Sequence, residues 1–483
     1  MKNPQQMIAI AICSILVIAI VGSIASGIVV RNGNQADSSS TGETAAPIPA
    51  VELYEQAAKN ISSAQDLTLS ISESTTTTTD NGIFSERTER SVQYSGLGTK
   101  NMSAHMDETL SIGDYKISWS EYFFDGMRYL TLDGGKFCGE ITREEYLKRN
   151  IPPILFDPSL YNNIAGHQAD DDTVIKFEAP SEAENWALPE GATFNSAAGF
   201  ATLNNSMQLT VSTYDISYSI DSIQITKRIE ISIQTDPVTL NLPSIDEFTR
   251  IEHPNTPILL EKACGYLMQA QSVTANIQDS IICDAFGDNR TQTVAIDMHG
   301  EGSKFMAKLD LSALLVNSSR GGEELRKSEN ILFRDGNYSV AIDGVPSQNN
   351  AQITAKDMRI NCQDLLLSTI LLPKYITGVS LTDLGDAYRF DFTTAASLSE
   401  TLCKNACDIL YKDPELLINL SDDSNIENLG AYLQISKTTG LPTASGIFYT
   451  GTYTIDGHSY MLKYHTDQTY DITSDTAYNT ITE

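Results

Sequence analysis

The chain has 483 residues, 41% of them hydrophobic, and a formal net charge of -30 at pH 7. Its length allows two or three domains, and the apolar fraction is high enough to fill their cores. The acidity excludes nucleic-acid binding, which needs clusters of Lys and Arg, and it excludes docking onto an anionic membrane through a basic patch.

The first long apolar segment covers residues 7–30 and contains no charged side chain. As a helix it would span about 36 Å at about 1.5 Å per residue, enough to cross a hydrocarbon core of about 30 Å. We therefore predict a short cytoplasmic head at residues 1–6 and a single transmembrane anchor at residues 7–30, which includes Ile8, Leu16 and Val21. The acidic bulk of the chain would then lie outside the cytoplasm, at the cell membrane.

This segment has two other interpretations. Ser23 and Ala25 have the small-residue spacing of a signal-peptidase site, so cleavage after Ala25 is an alternative. The apolar run continues to Val30, which favours an uncleaved anchor. A lipoprotein signal is excluded, because Ile12 stands before Cys13 where a small residue is needed.

A tether and two related domains are predicted after the anchor. Residues 31–50 are rich in Ser, Thr, Gly and Pro, which is typical of a flexible linker. Residues 53–71 then recur, 206 positions later, as residues 259–277. Seven of the nineteen pairs are identical: Leu53/Leu259, Glu55/Glu261, Ala57/Ala263, Ala64/Ala270, Gln65/Gln271, Thr68/Thr274 and Ile71/Ile277. We predict one domain written twice, at residues 51–250 and 256–475.

Each copy begins with an amphipathic helix that leads into a strand. Tyr54, Ala57, Ala58 and Ile61 recur at helical spacing, and from Leu67 the apolar residues alternate. Further strands are predicted at residues 115–119, 129–132, 174–177, 207–211, 216–220, 223–233, 430–435, 446–455 and 459–465. Asp-Gly pairs at 125–126, 133–134, 335–336 and 343–344 predict tight hairpins.

Two capping boxes predict further helices, one beginning at Thr142 with Glu145 and one at Ser397 with Glu400. The second carries an apolar stripe that includes Leu402 and Ile409. Each copy is thus expected to be an α+β domain in which helices cover one face of a twisted antiparallel sheet.

No motif of catalysis or of cofactor binding is recognised. The six histidines show no metal-ligand spacing. The acidic stretches 170–172 and 422–427 lack the pattern of a calcium loop, so we interpret these two stretches as solvated turns. No CxxC pair occurs. The cysteines are interpreted as core residues, although the disulfide state of Cys138, Cys264, Cys283, Cys362, Cys403 and Cys407 is open. Trp119 and Trp186 are expected to anchor cores.

The helix-to-strand openings, the Asp-Gly hairpins and the closing residues 239–243 resemble the LolA-like/LppX-like superfamily of bacterial envelope proteins, in two tandem copies. The resemblance implies curved antiparallel half-barrels with helices on the concave face, a groove for a lipid or another apolar ligand, and no catalytic residues. The chain differs from that family in lacking a lipoprotein signal, in being doubled and in its strong acidity.

The sequence therefore predicts a membrane-anchored extracytoplasmic binding protein without cofactor, metal or enzymatic activity. Its candidate groove residues are Tyr54, Ile61, Leu267, Leu402 and Ile409. The alternative is a structural, interaction or sensor ectodomain whose cores are filled and which holds no small ligand. An undetected hydrolase is the least favoured class.

Overall fold

Two large antiparallel sheets dominate the computed structural model of the protein. It describes residues 49–79, 82–152, 160, 162–169, 172–178, 188, 191–283, 288–317, 322–347, 353–394, 424–455 and 457–473. The architecture is mostly β with few helices, which corrects the balance implied by the α+β prediction. The predicted anchor residues Ile8, Leu16 and Val21 and the groove residues Leu402 and Ile409 lie outside the described residues.

Four helices are described: α1 (Ala50–Ser62), α2 (Arg143–Asn150), α3 (Thr256–Gln269) and α4 (Ala355–Leu367). Two short 3-10 turns occur at Gly302–Lys304 and Pro373–Tyr375. Within the part of the chain that the structure covers, no helix is both long enough and apolar enough to cross a membrane.

The first sheet has twelve strands, with β1 at its middle. They are β1 (Leu67–Thr79), β2 (Gly82–Ser95), β3 (Ser103–Ile112), β4 (Tyr115–Phe124), β5 (Met127–Leu132), β6 (Gly135–Glu140), β7 (Asn162–Ala169), β8 (Asp172–Glu178), β9 (Thr193–Leu203), β10 (Leu209–Ile220), β11 (Ile223–Gln234) and β12 (Thr249–Arg250). Their order across the sheet is β12-β6-β5-β4-β3-β2-β1-β11-β10-β9-β8-β7. All neighbours are antiparallel except β12, which runs parallel to β6.

The second sheet has eleven strands. They are β13 (Ser272–Cys283), β14 (Asp288–His299), β15 (Met306–Asn317), β16 (Glu323–Arg334), β17 (Asn337–Ile342), β18 (Val345–Pro346), β19 (Ile376–Asp383), β20 (Ala387–Thr394), β21 (Ser424–Ser436), β22 (Pro442–Ile455) and β23 (His458–Thr473). Their order is β18-β17-β16-β15-β14-β13-β23-β22-β21-β20-β19.

The two sheets share one topology. With β12 left aside, the first strand of each sheet pairs with the second and also with the last, and the remaining strands follow in the same sequence on both sides. Only β12 has no counterpart. The recurrence seen in the sequence therefore corresponds to the same strand order in both halves. The exact domain limits at 51–250 and 256–475 stay a prediction, and Pro49–Glu483 forms one compact unit.

Several local predictions are confirmed for physical reasons that act at short range. The Thr142 hydroxyl accepts from the Glu145 backbone while the Glu145 carboxylate accepts from the Thr142 N–H, which completes the capping box of α2. Asp125 and Asp335 have φ values of 53° and 51°, and the glycines that follow them are also left-handed. This is the conformation that two-residue hairpins require.

Other local predictions were wrong. The separate strands predicted at 207–211 and 216–220 are one strand, β10, because the alternation of buried residues continues through Tyr214. Met207 lies before that strand with a φ of 56°. Residues 424–427, interpreted as part of a solvated turn, belong to β21, where Ser424, Asn425 and Ile426 pair with β22 and Glu427 lies at a register shift.

The helices pack on one face of the first sheet. Tyr54 of α1 lies 6.3 Å, ring to ring, from Phe177 of β8, and Tyr146 of α2 stacks on Phe123 of β4 at 4.5 Å. Phe123 shares its face of the sheet with the inward residues of β1, because the registers of β1 to β4 connect them. This face, which we call the covered face, forms the core of the first half.

Helix α3 opens the second half in sequence but packs on the first sheet as well. The Tyr115 hydroxyl of β4 donates to Glu261 at 2.9 Å, and Lys262 Nζ donates to Glu86 of β2 at 3.0 Å. Toward the second half, Gln363 of α4 donates to the Met268 carbonyl at 2.8 Å. The two halves are therefore joined by a shared helix.

Removing a core side chain near the middle of the first sheet should cost more stability than removing an exposed one. Leu69 of β1 is 0% exposed, whereas Ile83 of β2 is 61% exposed. We expect Leu69→Ala to lower the free energy of unfolding by about 2–5 kcal/mol. Urea unfolding followed by circular dichroism measures this loss, and Ile83→Ala serves as the control with little change. Equal losses in both variants would contradict the placement of the core.

The carboxyl group of Glu261 gives the helix contact a pH dependence. Burial raises the pKa of Glu261, and the charge of Asp133 adds to this, while the hydrogen bond from Tyr115 opposes it. The folded chain disfavours the ionised carboxylate, so the penalty is present above the folded pKa and disappears below the pKa of the unfolded chain. We expect Glu261→Gln to raise the free energy of unfolding at neutral pH but not in strongly acidic solution.

Urea titrations at both pH values check this expectation. Glu247 serves as a control of opposite sign, because hydrogen bonding to Lys136 lowers the pKa of Glu247. A stability gain of Glu261→Gln that is the same at both pH values would show that its carboxylate is not destabilised by burial.

Candidate functional site

The predicted groove residues that the structure describes are packed in cores. Tyr54 and Ile61 of α1 are 0% and 2% exposed, and Leu267 of α3 is also buried. In this region α1 and the first sheet are in direct side-chain contact. A ligand-binding role for these three residues stays a prediction.

A cavity of about 370 Å³ opens at the carboxyl end of α1. Asn60, Gln65, Asp66 and Gln208 contribute to its lining, with Ile61 at its side. Its wall is about evenly polar and apolar, and Ile61, a predicted groove residue, contributes to it.

A more informative feature lies on the covered face beneath α2. Five charged residues occupy inward positions on neighbouring strands: Glu73 of β1, Arg90 of β2, Glu108 of β3, Glu121 of β4 and Arg128 of β5. Glu121 and Arg128 have fully buried side chains. Buried charges are stable only when they are paired, so their partners identify what this region can do.

The charges form a chain of ion pairs. Arg90 Nη2 lies 2.9 Å from Glu108 Oε1, and Arg128 is paired with Glu121. Arg149 of α2 adds a second cation at 4.0 Å from Glu121. On the other side of Arg90, Lys227 donates to Glu73 at 2.7 Å and forms a balanced pair.

Helix α2 adds uncharged polar groups to the same place. Tyr146, Arg149 and Asn150 are three and four residues apart and share one side of the helix. The hydroxyl of Tyr94, the hydroxyl of Tyr146, both amide atoms of Asn150 and Nη1 of Arg149 are buried without a hydrogen-bond partner among the described residues. We call the following set the polar cluster: Arg90, Tyr94, Glu108, Glu121, Arg128, Tyr146, Arg149 and Asn150.

Burial changes the acid–base properties of this cluster. It raises the pKa of the Tyr94 and Tyr146 hydroxyls far above the ordinary value, with the charge of Glu121 acting in the same direction. Burial also lowers the pKa of Arg149 to about 10, and the positive charge of Arg128 contributes. The tyrosines therefore remain neutral donors, and the positive charge of Arg149 is incompletely compensated.

The second half shows that the fold does not require these polar groups. Because both sheets share their register from the first strand to the fifth, each member of the cluster on the strands has an equivalent, and the caps Thr142 and Thr354 align the helices. The equivalent pairs are Arg90/Val294, Tyr94/Met298, Glu108/Leu311, Glu121/Ile331, Arg128/Tyr338, Tyr146/Met358, Arg149/Asn361 and Asn150/Cys362.

Most of these equivalents are apolar. Val294, Met298, Met358 and Cys362 are all buried in the second half. At these positions the same topology is thus built once with mostly apolar side chains and once with a polar cluster, although the second half buries Asp279, Arg290 and Gln292 elsewhere on its strands. The cluster is a property of the first half and not of the fold.

Sequence reasoning missed the polar cluster, although a signal was present. Glu121 follows Ile117 and Trp119 in the apolar phase of β4, and Glu108 follows Ala104 and Met106 in β3. A charge that falls in the apolar phase of a strand points toward the core. The same observation on several neighbouring strands would have indicated a buried charged site.

A serine, a histidine and an aspartate also meet outside this cluster. In the strand pair of β13 and β14, Ser272 is hydrogen-bonded to His299 Nδ1, and His299 Nε2 lies 2.6 Å from Asp297. The serine side chain is buried by the strand pair, and the nearby Gly300 N–H is already bonded to the Gln271 carbonyl. That donor is not free to stabilise an oxyanion, so we interpret the contacts as a structural tie between strands.

Metal and thiol chemistry receive no support from the described residues. Within these ranges, no group of three His, Cys, Asp or Glu side chains converges as a metal site would require. Cys138, Cys264 and Cys362 are buried free thiols, and burial raises the pKa of Cys362 to about 12. These three cysteines behave as core residues.

No family model and no curated protein sequence matches the chain. Among solved structures, it is similar to LprF from Mycobacterium bovis, with 8% identity and a TM-score of 0.25 over 40% of this chain and 97% of that one. It is also similar to a DUF1329 family protein from Desulfovibrio piger, with 8% identity and a TM-score of 0.20 over 40% of this chain and 93% of that one. At such values these likenesses carry no functional argument, and function must be inferred from the residues themselves.

The ion pair of Glu121 and Arg128 should tolerate joint replacement better than the loss of one partner. We expect Glu121→Ile to lower the free energy of unfolding by about 3–5 kcal/mol, because it leaves buried guanidinium groups without a carboxylate. Adding Arg128→Tyr, so that both positions carry the residues of the second half, should recover most of that loss.

Urea unfolding of both single variants and of the double variant measures this coupling. Additive losses in the double variant would show that the two side chains do not depend on each other.

Proposed function

We propose that the protein is a binding protein of the cell envelope that holds an amphiphilic ligand against the covered face of its first sheet. Residues 7–30 anchor it in the membrane, residues 31–49 form the tether, and the bulk of the chain lies outside the cytoplasm. Its function is binding and not catalysis.

The observation that supports this proposal is the polar cluster with its unpartnered atoms. A buried polar group without a partner costs about 1–3 kcal/mol, and folded proteins rarely retain one. The second half builds the same strands and helix without this cost, since Met298, Met358 and Cys362 replace Tyr94, Tyr146 and Asn150. A destabilising feature that the fold does not need is best explained by a ligand.

The surroundings of the cluster indicate an amphiphile. Glu121 is flanked in register by Met106 of β3 and Leu130 of β5, and Glu108 lies beside Trp119. These neighbours are buried apolar side chains. A ligand at this place would meet polar groups at one point and apolar walls around it, which suits a molecule with a polar head and an apolar body.

The second half supports a different role. Several of its buried polar side chains bond to one another: Thr369 contacts Gln468 at 2.9 Å, and Ser445 contacts Tyr470 at 2.6 Å. The Tyr470 hydroxyl also donates to the Leu366 carbonyl at 3.0 Å. We infer that this half is a filled structural or interaction module, so the alternative function applies to it and the binding function to the first half.

Fluorescence of Trp119 tests the proposal directly. The chain has two tryptophans, so Trp186→Phe leaves Trp119 as the only one. We expect dibromostearate or its methyl ester, added to the full chain in a non-ionic detergent, to quench Trp119 because the bromine atoms come close to its ring. The variant Tyr94→Met/Tyr146→Met/Asn150→Cys, which copies the second half, should remain folded and lose the quenching.

Tyr122→Met is the matched control, because Tyr122 lies on the same strand as Trp119 but stacks on His105 at the opposite face of the sheet. We expect the Trp119 fluorescence of this variant to be quenched as strongly as that of the parent. Absence of quenching in the parent, or quenching that survives in the triple variant, would overturn the proposal.

A further inference from the structure

Resting on the proposed function, we propose that the head group of the ligand is an anion, a carboxylate or a phosphate, and that Arg149 of α2 is its counter-ion. Tyr94, Tyr146 and Asn150 would donate hydrogen bonds to the same group. The binding class is therefore an anionic amphiphile.

The polar cluster carries more positive than negative charge. Arg90, Arg128 and Arg149 contribute three positive charges, and Glu108 and Glu121 contribute two negative ones, so one positive charge remains. The neighbouring Glu73–Lys227 pair is balanced and does not change this count. An anion would complete the neutralisation that burial requires.

The polar cluster also contains hydrogen-bond donors without an acceptor among the described residues. Arg149 Nη1 and Asn150 Nδ2 are buried nitrogen donors, and the Tyr94 and Tyr146 hydroxyls can donate as well; none has an acceptor among the described residues. Carboxylate and phosphate oxygens accept several such bonds at once, and bonds to a charged acceptor are the strong ones. The unpartnered acceptor atoms in the same place, the two carboxylate oxygens of Glu121 and the side-chain amide oxygen of Asn150, number three against these four donors.

Arg149 lies between the protein surface and the polar cluster. Its side chain is 30% exposed, whereas its Nη1 atom is buried. The guanidinium therefore reaches from the surface into the cluster, and it is the most exposed of the three arginines there. The equivalent residue in the second half is Asn361, which carries no charge. The cation is thus specific to the half that has the polar cluster.

The experiment compares a charged ligand with its uncharged twin. The full chain carrying Trp186→Phe is titrated in non-ionic detergent with dibromostearate and with methyl dibromostearate, at a pH where the acid is ionised. We expect the acid to bind at least about tenfold more tightly than the ester. Arg149→Gln should remove most of this preference, while Lys148→Gln, which removes an exposed charge from the same helix, should preserve it.

Competition against bound dibromostearate then separates the two head groups. Displacement by oleate but not by oleyl phosphate assigns a carboxylate, and the reverse assigns a phosphate. Equal affinity of acid and ester, or an Arg149→Gln variant that keeps the preference, would overturn the anion while leaving the amphiphile site intact. Failure of both probes to quench Trp119 would overturn the proposed function itself.

Discussion

Compensation of buried charge is the constraint on which the first half of this protein depends. Glu121 lies in the interior of β4 with no exposure to solvent, and it is held there by Arg128 and approached by Arg149. Ionised groups in a protein interior are stable only when their partners offset the loss of hydration. The position of α2 on the sheet, and hence the shape of the covered face, follows from this requirement together with the stacking of Tyr146 on Phe123.

The doubled architecture makes this constraint interpretable. A buried polar cluster in an isolated domain could be a device that fixes one packing arrangement, as single buried polar residues do in coiled coils. Here the same strand order occurs a second time with Val294, Ile331 and Met358 at the corresponding places. The fold reaches its topology without charges at these positions, so specificity of folding is a weak explanation for them, and binding is a stronger one.

The parts of this structure that the sequence could predict are those decided by local interactions. The α1 stripe, the capping box at Thr142 and the hairpin at Asp125 depend on residues within a few positions of one another, and the structure confirms them. The repeat could be predicted because identical residues mark it, and the shared strand order agrees with it.

The polar cluster could not be predicted in the same way, because its members come from four strands and one helix. Arg90 and Glu108 are eighteen residues apart, and their pairing depends on the register of β2 and β3. A charge within an alternating strand is usually interpreted as solvent-facing. Only the phase of several strands, considered together, distinguishes an inward charge from an outward one. The groove prediction did not include this cluster because it followed apolar stripes, such as the one that contains Tyr54.

The polar cluster is also connected to the contact between the two halves. Arg128 Nη1 donates to the side chain of Asn255, the residue that precedes α3. From there α3 contacts β2 through Lys262 and Glu86, and it contacts α4 through Met268. A ligand that changes the charge around Arg128 would therefore act on the residue at which the second half begins. The contact of Arg128 with Asn255 therefore lies beside the Tyr115–Glu261 and Lys262–Glu86 contacts, through which α3 joins the two halves.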